Sequence, residues 1–438
     1  MQKDSSLSWK WSQIFILCSF AFCIYVSLII MFGTLPFSDF EYYYATSLAI
    51  LRGEGISDQY RYFQPAGYPY LLSILFSLLN SDSILIPQLL NAFMLCGLLC
   101  IYLKYSFGVH TVGPFIGYLI LVFNVNYLSM VSVLGSEILY AFFFLVGWLF
   151  FWFGFKGIVH QGVGRGSGHV LQFLFSGLFL GASQFIRPVT FAYLFIFTIA
   201  VALGLRYFKF LEIKTGWKVL FLTSLKSLVL TWVTFFAVSM LLYCGAGYGL
   251  TYMPFQKGLW NLYVGFNSES RGTYSVRDAE LMTKLGYGNQ WNAKKINEIL
   301  KGIAFERIKQ NWLKNVQNMP EKIHNLMDPK GIPYWAIEKS KIKNKDRIYK
   351  VSGYLCWINW GVLIASLWAC VIWLAERKIS IQEFLAFCAL VAAFLYLIIH
   401  SYLFEVQGRY SNHLWMIMFV CFPVSVRALR QSLIKMII

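Results

Sequence analysis

Six charged side chains stand beside the apolar runs of this sequence, where charge is costly. Asp39 and Glu41 follow the first run, in Phe37-Ser38-Asp39-Phe40-Glu41-Tyr42-Tyr43-Tyr44. Glu137 opens the fourth run, and Arg187 lies between the fifth and sixth, in Gln184-Phe185-Ile186-Arg187-Pro188. Glu405 and Arg409 precede the last run, in Glu405-Val406-Gln407-Gly408-Arg409-Tyr410. A carboxylate at a membrane edge needs a partner or a task. A partly desolvated Asp within reach of a hydroxyl suits general-base work. The planar fork of Arg matches phosphate oxygens. The plainer reading of the first pair is a helix start, with Ser38 or Asp39 as cap of a helix over 42–52 and Glu41 in its first turn.

The elements that position these groups follow from composition. Of 438 residues, 58% are hydrophobic, 19% aromatic and only 13% charged, against about 25% charged in a typical soluble domain. No soluble core absorbs so much apolar side chain. The net charge of +17 raises nucleic acid as a partner, but the apolar runs point to a lipid bilayer. A spanning helix needs roughly 20 apolar residues. Ten segments read as spans: 11–33, 84–103, 111–128, 138–155, 170–186, 189–205, 220–243, 353–375, 381–402 and 411–426. Segment 68–79 is too short to cross and reads as a juxtamembrane helix in the first outer loop.

Loop charge sets orientation. With both termini in the cytoplasm, inner segments hold Lys10, Lys104, Lys156, Arg206, Lys218, Arg377, Arg427 and other cations, while short outer segments hold mainly acids. Three parts result: a membrane module over 1–243 with seven spans and a first outer loop at 34–83; a small, mainly helical outer domain over 244–352; and three further spans over 353–438. The outer domain carries 18 of the 37 Lys and Arg residues, a surface suited to anionic headgroups or a lipid phosphate. Asp39, Glu41, Glu137, Arg187, Glu405 and Arg409 then share the outer face.

Several chemistries find no support. No CxxC pair or HExxH spacing occurs. His400 and His413 flank the last outer turn and read as helix-end histidines at the interface. No glycine-rich loop follows a strand, so nothing marks a nucleotide-sugar site. Mid-span charge is nearly confined to Lys226, which weighs against a transporter.

Taken in order, these motifs resemble the GT-C membrane glycosyltransferases, in particular the branch of the lipid A aminoarabinose transferase and the protein O-mannosyltransferases. The resemblance rests on Asp39-x-Glu41-Tyr-Tyr-Tyr-Ala45 through Arg52-Gly53, the Pro65-Ala66-Gly67-Tyr68-Pro69 box, Glu137, Arg187-Pro188 and Arg409-Tyr410. It implies an all-α polytopic GT-C fold in the inner or plasma membrane, with the active site on the periplasmic or extracellular face. The donor would be a polyprenyl-phosphate sugar, and the acceptor a hydroxyl of a cell-surface glycan or lipid such as lipopolysaccharide. Asp39 or Glu41 would be the base; the family's frequent adjacent acids, here separated by Phe40, leave that choice open. Arg187 and Arg409 would bind the donor phosphate. Glu137, Glu405, Tyr42, Tyr43, Tyr68 and Tyr410 would orient the acceptor, stack on sugar or hold a divalent cation such as Mg or Mn. Metal use varies in this fold, so no metal is fixed. An O-antigen polymerase or ligase and a lipid-linked sugar transporter are the competing readings.

Overall fold

Without water in the hydrocarbon layer, a spanning segment must satisfy its own backbone, which selects helices. The computed structural model describes residues 10–105, 112–161, 168–210, 217–248, 258–327, 336–337 and 340–437. Apart from one two-residue parallel pairing, Lys209–Phe210 with Lys378–Ile379, the regular structure in these residues is helical.

Helix α1 (Trp11–Phe32) leads into three short helices, α2 (Asp39–Leu51), α3 (Asp58–Phe63) and α4 (Gly67–Leu79). Helices α5 (Leu85–Tyr105), α6 (Val112–Val122), α7 (Val125–Met130), α8 (Glu137–Gln161), α9 (Gly168–Ile186), α10 (Thr190–Tyr207) and α11 (Trp217–Gly245) complete the first half. Four helices follow outside the apolar runs: α12 (Gly258–Gly265), α13 (Val276–Gly288), α14 (Ala293–Gln317) and α15 (Met319–Met327). The chain ends in α16 (Lys345–Glu376), α17 (Ile381–Leu403), a 3-10 turn (Gly408–Ser411) and α18 (Asn412–Ile437).

Among the described residues, nine helices are long and apolar enough to cross a membrane. This is the architecture of a multi-pass membrane protein. The tenth expected span, 111–128, is instead two helices, α6 and α7, broken at Asn124. There the side chain of Asn124 donates to Oδ1 of Asn359 on α16, at 2.6 Å. The pair still returns along the bundle. Gln88 and Asn91, near the start of α5, donate to the carbonyls of Ser132 and Val133 at 2.7 and 2.8 Å, so the chain leaving α7 is back at the end where α5 began.

Helices α8 and α17 are central, with 72% and 67% of their apolar windows buried, against 22% for α1. A helix apolar on all sides belongs inside. Helix α9 packs on α8 and α11, α17 on α10, and α18 on both α16 and α17. The expected juxtamembrane helix over 68–79 is α4, and it packs on α2. Gly67 at its start has no room for a side chain: a Cβ would lie 2.6 Å from the carbonyl oxygen of Phe185. That contact sets the Pro65-Gly67 box directly against the end of α9, two residues before Arg187.

A second apolar cluster lies in α12–α14, with Trp260, Tyr263, Met282, Ile296 and Leu300 around Tyr62 of α3. It ties the first loop to the helices after α11. One ion pair braces it: Arg307 contacts Asp278 at 3.0 Å, and its guanidinium lies 3.5 Å from the Tyr263 ring.

Candidate active site

A cleft opens where α2, α8, the α9–α10 turn, α17 and α18 meet at one end of the bundle. Its lining includes Asp39, Tyr43, Glu137, Arg187, Tyr410, His400 and His413.

The acidic motif is divided by helical geometry. Helix α2 starts at Asp39 with both Asp39 and Glu41 in its first turn, three residues earlier than the sequence suggests. At 100° per residue, Asp39 and Tyr43 share one face and Glu41 points elsewhere. Asp39 and Tyr43 therefore line the cleft, while Glu41 and Tyr42 are exposed. Ser38, the residue before the helix, holds φ 51° and ψ −132° and makes no side-chain cap. A non-glycine residue with positive φ is strained by about 1–3 kcal/mol, and here the strain turns the chain from the end of α1 into α2.

Tyr43 is fixed from two sides. Its hydroxyl donates to Oε1 of Gln64 at 3.0 Å, and its ring meets Tyr68 edge-on at 5.5 Å. Tyr68 is fully buried beneath the cleft and does not line it. Burial pushes the Tyr60 and Tyr68 phenols well above their usual range, so both stay neutral.

Glu137, the first residue of α8, is 1% exposed and pairs with Arg187 at 2.8 Å. Gly135 makes room for the carboxylate, since a Cβ there would lie 2.3 Å from Oε2. The loop before Glu137 is held by Gln88 and Asn91 through the bonds described above. Arg187 is held by the end of α9, its N–H donating to the carbonyl of Ser183 at 2.9 Å. Ser183 and Thr190 share a bond at 2.8 Å across the turn, and Gln184 accepts from the N–H of Phe191 at 3.0 Å. The Arg187 guanidinium also faces the Tyr410 ring at 5.6 Å.

The remaining wall comes from the C-terminal helices. His400 and His413 are lining residues and not interface histidines, because α17 and α18 pack into the bundle beside α8 and α10. Tyr140, Tyr396 and Asn261 join them. The sequence signals were present but unlinked: Tyr396 and His400 sit at i, i+4 spacing on an apolar helix, and His413 opens the next one. Segment 405–407 is pinned to the helices after α11. The N–H of Glu405 donates to the carbonyl of Asn261 at 3.1 Å, and that of Val406 to the carbonyl of Gly272 at 2.9 Å. Glu405 itself is buried, accepts from Gln407 at 2.6 Å and is not a lining residue. The backbone of Arg409 lies in the 3-10 turn; its side chain is outside the described residues.

Lys322 locks this corner. It is fully buried, and its Nζ donates to the carbonyl of Gly265 at 2.9 Å, to Oδ1 of Asn315 at 3.1 Å and to the carbonyl of Tyr402 at 3.4 Å. It thus satisfies helix-end carbonyls of α12 and α17 that lack intrahelical donors. Burial pulls its ammonium down to about 8.

A divalent cation needs several oxygen or nitrogen ligands together. Among the described residues no three His, Cys, Asp or Glu side chains form such a group, and Glu137 is engaged with Arg187. No step below uses a metal.

No protein-family model matches the sequence, and no curated protein does. Solved structures do match in fold. The chain is similar to the archaeal oligosaccharyltransferase AglB from Archaeoglobus fulgidus, in complex with an inhibitory peptide and a dolichol-phosphate, at 14% identity and TM-score 0.53, over 97% of this chain and 51% of that one. It is similar to an Archaeoglobus fulgidus oligosaccharyltransferase complex with Zn and sulfate, at 15% identity and TM-score 0.51, over 95% and 49%. The apo form gives 15% identity and TM-score 0.53 over 98% and 53%. The chain thus spans about half the length of the structures it matches. What the likeness shows is the fold, a GT-C-like polytopic helical architecture.

Proposed function

We propose that this chain is a membrane glycosyltransferase that moves a sugar from a polyprenyl-phosphate donor to a hydroxyl of a cell-surface glycan or lipid. The observation that carries the reading is one cleft holding a helix-start carboxylate, Asp39, and an arginine, Arg187, contributed by separate elements at one end of the bundle. A carboxylate base and a cation for a leaving phosphate are the two groups such a transfer requires.

In this reading Asp39 accepts the proton of the acceptor hydroxyl. The hydroxyl oxygen forms its bond to the anomeric carbon while the bond from that carbon to the phosphate oxygen breaks. The lipid phosphate leaves with the electron pair, and the configuration inverts. Arg187 stabilises the charge that grows on the leaving group. The exposure of Glu41 favours Asp39 as the base. Tyr43, held by Gln64, supplies a ring for the sugar, and Tyr410 covers Arg187. The dolichol-phosphate in the matched AglB structure is chemistry of the same class as the proposed donor. The excess of Lys and Arg in the other short loops supports a cleft on the outer face with both termini inside.

The test is Asp39→Asn in the producing cell. Mass analysis of surface glycans should show loss of the transferred sugar, a drop of about 10²–10⁴-fold in rate, with the protein still present in the membrane at its usual level. Full transfer by that variant would remove Asp39 as the base.

A further inference from the structure

The two histidines of the cleft differ in what their nitrogens do. His400 Nε2 lies 3.0 Å from the carbonyl oxygen of Glu405, and Nδ1 lies 3.3 Å from the hydroxyl of Tyr396. A carbonyl only accepts, so Nε2 of His400 carries the hydrogen and Nδ1 accepts from Tyr396. Both nitrogens are used to hold the end of α17 against the last turn. His413 is 3% exposed, and its Nε2 has no hydrogen-bond partner among the described residues.

The His413 ring is held in place. Tyr140, Phe144 and Tyr396 meet it edge-on, with centroids at 5.4, 6.0 and 5.1 Å and interplanar angles of 79°, 79° and 82°. A ring caged on three sides does not turn to find another acceptor. A buried ring nitrogen left unpaired is costly, which makes Nε2 of His413 a point where a ligand in the cleft gains a contact. Three features give that atom a sign. Arg187 lines the same cleft and presents a cation. His413 stands in the first turn of a 26-residue helix, where the backbone dipole favours negative charge. With its hydrogen on Nε2, a neutral imidazole in the same cleft as Arg187 offers a second donor to one anion without adding like charge.

We propose that His413 is a phosphate-binding residue of the cleft, its Nε2–H donating to a non-bridging oxygen of the lipid-linked phosphate that Arg187 neutralises. The inference rests on the polyprenyl-phosphate reading above and deepens it, by making phosphate recognition a two-point contact from the α9–α10 turn and the start of α18.

The experiment uses the full chain in phosphatidylcholine nanodiscs. Undecaprenyl phosphate, undecaprenol and inorganic phosphate are titrated separately, and binding is read by the change in thermal unfolding midpoint. Wild type should bind undecaprenyl phosphate more tightly than undecaprenol. His413→Phe keeps the ring and removes the nitrogen; it should weaken undecaprenyl phosphate by about 10-fold or more and leave undecaprenol unchanged. A second readout needs no folded Phe variant. In protein labelled with ¹⁵N-histidine, the His413 Nε2 resonance, assigned by its loss in His413→Gln, should move with undecaprenyl phosphate and stay with undecaprenol. A response to inorganic phosphate alone, equal in size, would assign the contact to free phosphate and overturn the lipid-linked one. If wild type does not distinguish the two lipids, the donor reading itself fails. If it does, and neither His413→Phe nor the resonance responds, the donor reading stands and the His413 assignment is overturned.

Discussion

Removing Glu137 and Arg187 together separates what the pair does for the fold from what Arg187 does for the donor. The two side chains meet at 2.8 Å, with Glu137 1% and Arg187 17% exposed. Deleting one member of a buried pair leaves the other charge uncompensated, at about 3–5 kcal/mol. Arg187→Met strands the more deeply buried carboxylate and belongs at the upper end of that range. Glu137→Gln removes a partner of a partly exposed guanidinium that keeps its contact with the Tyr410 ring, and belongs at or below the lower end. The double variant removes both charges and is expected within about 1 kcal/mol of wild type, since replacing a whole buried pair is often neutral. The coupling between the two sites is then at least about 2 kcal/mol. Donor binding follows a different pattern. A hydrogen bond to a charged group contributes about 1.5–3 kcal/mol, or about 10–150-fold in affinity. Arg187→Met and the double variant should both lose that factor for undecaprenyl phosphate, whereas Glu137→Gln should keep wild-type affinity or exceed it, its arginine being released from a competing anion. Denaturant titration of the full chain in detergent gives the stabilities, and undecaprenyl phosphate titration gives the affinities. A double variant that is stable and also binds donor like wild type would refute the reasoning: Arg187 would then serve only to neutralise Glu137.

Three further perturbations probe the supports of the cleft. Ser38→Gly should raise stability by up to about 1–3 kcal/mol by relieving the positive φ with transfer retained, whereas Ser38→Val should lose both; equal stability of the two variants would show that no strain is held there. Asn91→Leu removes one of two donors to the Val133 carbonyl, which also accepts from the N–H of Gly135 at 2.8 Å; a loss of about 0.5–1.5 kcal/mol, with a fall in kcat larger than any change in donor KM, would mark it as positioning Glu137, and an unchanged kcat would not. Lys322→Met strips a donor from three acceptors and should destabilise the chain at every pH. Because burial lowers the folded pKa of Lys322 to about 8, the unfolded chain holds the extra proton between there and its ordinary value near 10.5. The stability of wild type relative to Lys322→Met should therefore rise with pH across that window, and a flat difference between pH 8 and 10 would deny the buried ammonium.

The parts of the site legible in the sequence are those at the ends of apolar runs. Asp39, Glu137 and Arg187 announce themselves because charge beside a span is costly, and loop charge alone assigns all three to one face. Telling Asp39 from Glu41 requires the phase of α2. That phase depends on a helix beginning at Asp39 after a strained Ser38, and nothing in the local residue types calls for positive φ at a serine. The split of the third span was equally hidden, because apolar character continues through Phe123 while the partner that captures Asn124 is Asn359, on α16, far along the chain.

The histidine wall illustrates the same limit from the other direction. His400 and His413 sit at the mouths of apolar helices, where a solvated or headgroup-facing imidazole is the economical assumption. Their role turns on whether α17 and α18 face lipid or protein, and the apolar pattern of a spanning helix does not tell those two surroundings apart. Only the packing of α17 against α10 and of α18 against α8 and α17 makes the difference. It places both imidazoles inward, uses up the nitrogens of His400 on Glu405 and Tyr396, and leaves Nε2 of His413, in the cleft that Arg187 also lines, without a partner among the described residues. A sequence-level signal for such a site would be polar residues recurring at the same end of several apolar helices. Here that means Glu137 and Tyr140 on α8, Tyr396 and His400 on α17, and His413 on α18. Read helix by helix they are end residues; aligned by membrane depth they form one layer, which is the chemical content of the site that local motifs omit.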